Sequence, residues 1–128
     1  AAYHGMEIQV LHHDSAIYKN LREYQVHGSV YGIIPAKRIK WGALGEWHQE
    51  EIRVKGDRIT VTVDGQVIVD GNIRTATKGH NVAPDGSDKN PYTVDKLNHP
   101  GLFNKKGHIG LCGHGEGIKY RNIRVKEL

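Results

Sequence analysis

The sequence has one cysteine, Cys112, in 128 residues. No internal disulfide is therefore available, and cysteine usage leaves the redox compartment open. No apolar run approaches the roughly 20 residues that a bilayer-spanning helix needs, which excludes a helical membrane span. The chain opens with Ala1 rather than Met, and no charged segment followed by an apolar one marks a leader, so it reads as processed, truncated or excised. Aromatic residues are sparse at 7%, and no segment carries the 3.6-residue apolar period of a long amphipathic helix. Nucleic-acid reader motifs are missing as well. The net charge of +4 permits attraction to polyanions, yet the densest basic group, Lys105, Lys106, Lys119, Arg121, Arg124 and Lys126, is spread along strand-like sequence. Those cations read as a solvated face, and no nucleic-acid partner is expected.

The sequence does supply turns and strands. Sixteen glycines, 38% hydrophobic and 25% charged residues describe one globular domain with many reversals of direction. Residues 5 to 14 begin it as a strand with two faces, Met6, Ile8 and Val10 on one side and Glu7 and Gln9 on the other. His12, His13 and Asp14 follow at once, so several groups able to move protons crowd one short segment. Residues 15 to 27 lack a period and predict a loop or a single helical turn. Residues 28 to 34 regain strand character, Ser29, Tyr31 and Ile33 alternating with Val30, Gly32 and Ile34 until Pro35 ends the run.

The firmest prediction covers residues 47 to 70. Ile52 and Val54, then Ile59, Val61 and Val63, then Val67 and Val69 keep a period of two across turns at Lys55-Gly56-Asp57 and Asp64-Gly65, a three-strand meander with one buried face. Trp47 at its start is assigned to the core. Residues 71 to 106 read as a long irregular connection, expected as a loop over the site. Its Asp85-Gly86-Ser87-Asp88-Lys89-Asn90 centre lacks the ligand spacing of a helix-loop-helix calcium site. Two last strands are expected at 108–113 and 117–126, with His108, Cys112 and His114 along one side of the first.

The runs Gly-Met-Glu-Ile-Gln-Val-Leu (5 to 11), Gly28-Ser29-Val30-Tyr31-Gly32, Gly45-Glu46-Trp47-His48, Gly107-His108-Ile109-Gly110-Leu111-Cys112-Gly113-His114-Gly115 and Tyr120-Arg121-Asn122-Ile123-Arg124 resemble successive motifs of the 3-keto-disaccharide hydrolase family, in order along nearly the whole chain. His48 stands where that family tends to have Asn, and Cys112 where it tends to have Gln. The resemblance implies an all-β, concanavalin A-like jelly-roll sandwich of antiparallel sheets, with residues 1–128 as a single domain corresponding to the C-terminal portion. About seven strands are expected here, with the N-terminal strands missing or supplied by another protomer, because a remainder of that size exposes sheet edges.

The chemistry implied is hydrolysis of 3-keto-glycosides. A ketone at C3 acidifies the proton at C2, so a base can remove it, the C1 substituent leaves by elimination, and water adds back. That sequence needs a base, a stabiliser for the enolate oxygen and an acid for the leaving oxygen. By the resemblance, Glu7, His114 and Arg121 are the catalytic candidates, and Gln9, His12 and Tyr31 the contacts to a carbohydrate substrate. Two alternatives stay open: an ordinary glycoside hydrolase, which needs a second carboxylate opposite Glu7, and a non-catalytic carbohydrate-binding module of the laminin G type. Nine histidines invite a metal reading, but among His12, His13, His108 and His114 no pair has the i, i+2 or i, i+4 spacing of preformed ligands. No cofactor is expected, and chemistry that survives a chelator is. The resemblance also suggests a periplasmic or secreted location.

Overall fold

The computed structural model describes residues 1–128 except 114 and 116. The meander predicted from the period-two pattern forms, with β1 (Glu50–Lys55), β2 (Arg58–Val63) and β3 (Gln66–Asn72) in an antiparallel sheet of order β1-β2-β3. Both turns follow from their residues. Gly56 takes φ 59° between β1 and β2, while Asp64 and Gly65, at φ 48° and 80°, supply the two positive-φ positions of a tight hairpin. Between β2 and β3 the register slips after Val61, so Ile68 is an extra residue in β3 and consecutive residues Ile68 and Val69 are both buried.

Ile59, Val61 and Val63 of β2 are fully buried, and they form the core with Val30, Ile33, Ile68, Val69, Ile73 and Leu102. At about 25 cal/mol per Å² of apolar surface, each of these β2 side chains contributes roughly 1.5–3 kcal/mol of burial, which makes this strand the fold's anchor. β1 pairs so that Glu50, Ile52 and Val54 lie opposite Val63, Val61 and Ile59. They therefore share the core face, yet Ile52 and Val54 remain nearly half exposed.

Away from the meander the expected strands shrink. The first strand survives as a bridge between Ile8 and Val30. The alternation expected over 28 to 34 breaks after Val30, because Ile33 and Ile34 both donate backbone N–H groups to the Val30 carbonyl and Gly32 takes φ 74°. A tight reversal results, placing Val30 and Ile33 together in the core. One 3-10 turn, Glu23–Gln25, is the helical turn anticipated in the preceding loop, and the short α1 (Ile73–Ala76) is capped by Asn72 Oδ1 accepting from Thr75 N–H at 2.9 Å.

The expected strands at 108–113 and 117–126 do not form among the described residues. A strand exists only beside a partner that meets its N–H and C=O groups, and no backbone bond links the described residues of this segment to the sheet. Among the described residues the count is thus three strands rather than about seven. Trp47 is also not in the core: it is 48% exposed, and the Arg121 guanidinium lies 4.1 Å from its ring centroid. No helix among the described residues is long and apolar enough to cross a membrane.

Candidate functional site

The Ile8–Val30 bridge builds the site. Around it Tyr31 N–H donates to the Glu7 carbonyl at 3.0 Å, Gln9 N–H to the Ser29 carbonyl at 3.0 Å and Gly28 N–H to the Gln9 carbonyl at 2.7 Å. Ile8 and Val30 thereby turn toward the core, and Glu7, Gln9 and Tyr31 line a cleft of about 420 Å³ on the opposite side, with Tyr3, Tyr18 and Gln25. Gln9 is buried, and its Oε1 accepts from Val10 N–H at 3.1 Å, which leaves the Nε2 amide to donate. Tyr31 Oη accepts from Gln25 Nε2 at 3.3 Å, so its own hydroxyl proton is left to donate, and the ring is held edge-on by Tyr24 at 5.4 Å. Burial, with the Asp95 charge behind it, pushes the Tyr3 phenol up and keeps it a donor at neutral pH. One carboxylate among such donors is an arrangement for taking a proton while holding an oxygen that gains charge.

Of the sequence candidates, the structure brings Glu7, Gln9 and Tyr31 together. His12 lies elsewhere, stacked on Trp41 at 5.8 Å with Nε2 3.3 Å from the Gly42 carbonyl. Arg121 rests on Trp47, and His114 falls outside the described residues. Residues 71 to 106 do not line the cleft. This loop packs on itself, Asn90 donating to the His80 carbonyl at 2.9 Å and Asn98 to the Ser87 carbonyl at 2.8 Å. Asp95 and His99 tie the loop to the N-terminal segment: His99 Nε2 is 2.9 Å from the Asp95 carboxylate and Nδ1 is 3.0 Å from the Ala2 carbonyl. Tyr3, Tyr18 and Gln25 were not foreseen, since nothing in an unpatterned polar passage shows which residues fold back over a strand.

A second polar cluster surrounds Trp41, whose indole N–H donates to His13 Nδ1 at 3.1 Å and whose ring meets His27 at 4.6 Å and His48 at 4.2 Å between centroids. His48 Nδ1 lies 2.6 Å from Asp64 Oδ2, and that hydrogen bond, with a second from Gln49 N–H, holds the Asp64 carboxyl below its usual range. Burial drives His27 down to about 4 and Glu50 up to about 7, so both favour their neutral forms. The signal for this cluster was present as His48 and Glu50, two apart in the sequence.

A family model described as the 3-keto-alpha-glucoside-1,2-lyase-like domain matches residues 1–126. A 3-keto-disaccharide hydrolase of Bacteroides thetaiotaomicron is 30% identical over 102 residues, covering 78% of this chain and 35% of its own length. The crystal structure of a protein assigned as a glycosyl hydrolase from Parabacteroides distasonis superposes with a TM-score of 0.55 at 24% identity, over 76% of this chain and 51% of that one. The chain thus spans about a third of the curated relative and half of the solved neighbour. The likeness in structure carries the fold: all-β, with the antiparallel sheet of a jelly roll.

Proposed function

The chain belongs to the 3-keto-alpha-glucoside-1,2-lyase-like domain family, and on that premise we propose that it acts in the cleavage of 3-keto-glycosides. The observation that carries this reading is the single carboxylate, Glu7, set among the donors of Gln9 and Tyr31 in one cleft. In the proposed reaction the Glu7 carboxylate removes the C2 proton of a 3-keto sugar. The electron pair moves toward the C3 oxygen, which Tyr31 O–H and Gln9 Nε2–H stabilise. The pair then returns to form the C1–C2 double bond as the C1–O bond breaks, and the departing oxygen takes a proton from an acid. Water adds across the double bond in a later step, which makes the net change a hydrolysis. His114 is the sequence candidate for the acid, and Arg121, which rests on Trp47 away from the cleft lining, the sequence candidate for a further stabiliser.

An ordinary glycoside hydrolase is disfavoured by the same geometry. That chemistry sets two carboxyl groups about 5–5.5 or 6.5–9.5 Å apart, and Glu7 is the one carboxylate lining the cleft among the described residues. The test is incubation with a 3-keto-glucoside and its unoxidised parent, following release of the aglycone and any unsaturated keto sugar. Release from the oxidised sugar alone supports the reading. Binding of either sugar without release would instead mark a carbohydrate-binding module, and release from the parent sugar an ordinary hydrolase. A periplasmic or secreted location is proposed with the activity, on the family resemblance alone.

A further inference from the structure

Four buried side-chain atoms among the described residues have no hydrogen-bond partner, and three of them, His27 Nε2, His48 Nε2 and Glu50 Oε1, belong to one cluster. Leaving a buried polar atom unsatisfied costs about 1–3 kcal/mol, so the concentration of three calls for a reason. The hydrogen bonds that are made assign the protons. His48 Nδ1 faces the Asp64 carboxylate at 2.6 Å and carries the proton, which leaves a lone pair on the buried Nε2. His27 Nδ1 accepts from Leu11 N–H at 3.2 Å, so its proton is on Nε2, which points at Glu50 Oε1 from 3.5 Å, too far for a good bond. His27 is therefore a donor and not a ligand. What is left over is an imidazole lone pair and a carboxylate oxygen, from residues two apart in the sequence, Glu50 at the start of β1 and His48 just before it.

We propose that His48 Nε2 and the Glu50 carboxylate hold a divalent cation, with Asp64 and His27 as the hydrogen-bonding groups behind the two ligands. Metal-binding histidines characteristically donate their other ring N–H to a carboxylate, and metal-binding carboxylates are themselves hydrogen-bonded. Asp64 does the first for His48, and the His27 N–H is poised to do the second for Glu50. Among the described residues no three imidazole, carboxylate or thiolate groups stand as a preformed set, so two protein ligands bind the ion and water completes its shell. One imidazole with one carboxylate suits zinc or manganese better than calcium. None of His27, His48 and Glu50 lines the cleft of Glu7, so the site is structural, pinning the start of β1 to the Trp41 segment, and it stands or falls independently of the proposed reaction.

The experiment is titration of chelator-stripped protein with zinc and manganese, read by calorimetry and by the thermal midpoint. One ion is expected to bind and raise the midpoint. His48→Ala and Glu50→Gln should abolish uptake, Asp64→Asn should weaken it by about 10- to 100-fold, and His108→Ala, at an exposed histidine, should leave it unchanged. Bound manganese should show coupling to one imidazole nitrogen by electron paramagnetic resonance in the unaltered protein, a reading that needs no variant to fold. No uptake at millimolar ion, uptake insensitive to both ligand substitutions, or bound manganese without nitrogen coupling would each overturn the proposal.

Discussion

Tyr31 donates its backbone N–H to the carbonyl of Glu7 at 3.0 Å, so the residue proposed to take a proton and the residue proposed to steady the resulting charge are held in register by a bond that neither side chain makes. Substitution of either side chain leaves that bond in place. Glu7→Gln is accordingly expected to keep the fold and lose about 10² to 10⁴ in kcat, the usual contribution of a general base. Tyr31→Phe removes one donor to the enolate oxygen and should cost up to about 10² to 10³. Circular dichroism beside turnover of a 3-keto-glucoside checks both, and near-normal turnover by Glu7→Gln would remove Glu7 from the reaction.

The reversal that aims these residues depends on Gly32. Its φ of 74° lies in the left-handed region, and a Cβ there would sit 2.7 Å from His99 Nε2 and press on the Asp95 carboxylate. Gly32→Ala therefore combines backbone strain with a clash, and a loss of about 1–3 kcal/mol is expected. Urea unfolding measures it, with Gly86→Ala, whose φ of 77° has open space around it, as the comparison that isolates strain from clash.

What could be read from the sequence follows a physical division. Local chemistry was legible: the period of two from Ile52 to Val63, the Asp64-Gly65 turn, and the opposed faces of Ile8 and Glu7 each depend on near neighbours in the chain, and each is found, whereas in β3 the extra residue Ile68 breaks the expected period and leaves Val67 exposed. Long-range pairing was not. The last segment alternates as a strand does, Ile109 with Leu111 and Ile123 with Val125, but alternation cannot supply a partner, and all four side chains are exposed. Trp47 was misplaced for a related reason. A tryptophan can bury its face under a cation such as Arg121 as readily as in a core, and its neighbours in sequence do not distinguish the two. The family resemblance was legible because it rests on the order of motifs along the chain, which matches over residues 1–126.

The Trp41 cluster predicts an unusual pH dependence when ions are removed by a chelator. Glu50 has its pKa raised from 4.5 to about 7 by burial, so the folded protein holds that proton more tightly than the unfolded chain does. Its contribution to stability is complete below pH 4.5 and declines as pH rises through 7. His27 runs the other way: lowered from 6.5 to about 4, its contribution is complete above pH 6.5 and declines as pH falls through 4. Each shift corresponds to something on the order of 3 kcal/mol, so between the two limits they offset one another, and above neutrality the Glu50 penalty stands alone. Glu50→Gln, which cannot ionise, should raise the thermal midpoint at pH 8 and change it little at pH 5. A midpoint lowered at pH 8 would show that the Glu50 carboxylate is stabilised in the fold rather than penalised.

Asp95 and His99 form the tightest buried pair in the described structure, each side chain 1% exposed. Both ring nitrogens of His99 face acceptors, Nε2 the Asp95 carboxylate at 2.9 Å and Nδ1 the Ala2 carbonyl at 3.0 Å. Tyr3 covers the ring at 5.0 Å. Removing one member of such a pair leaves buried polar atoms of the other without a partner, which typically costs about 1–3 kcal/mol for each. His99→Ala should therefore destabilise severely, and Asp95→Asn, which keeps an acceptor for one N–H, should cost less. Because His99 also anchors the Ala2 carbonyl, and Ala2 and Tyr3 line the cleft, loss of the pair should loosen one cleft wall before the core unfolds. Native-state hydrogen exchange can separate these events: in Asp95→Asn the Gly5 amide, which donates to the Ala1 carbonyl, should exchange faster, while the β2 amides stay protected. Uniform acceleration across both segments would mean that the pair supports the whole fold and not the cleft wall in particular.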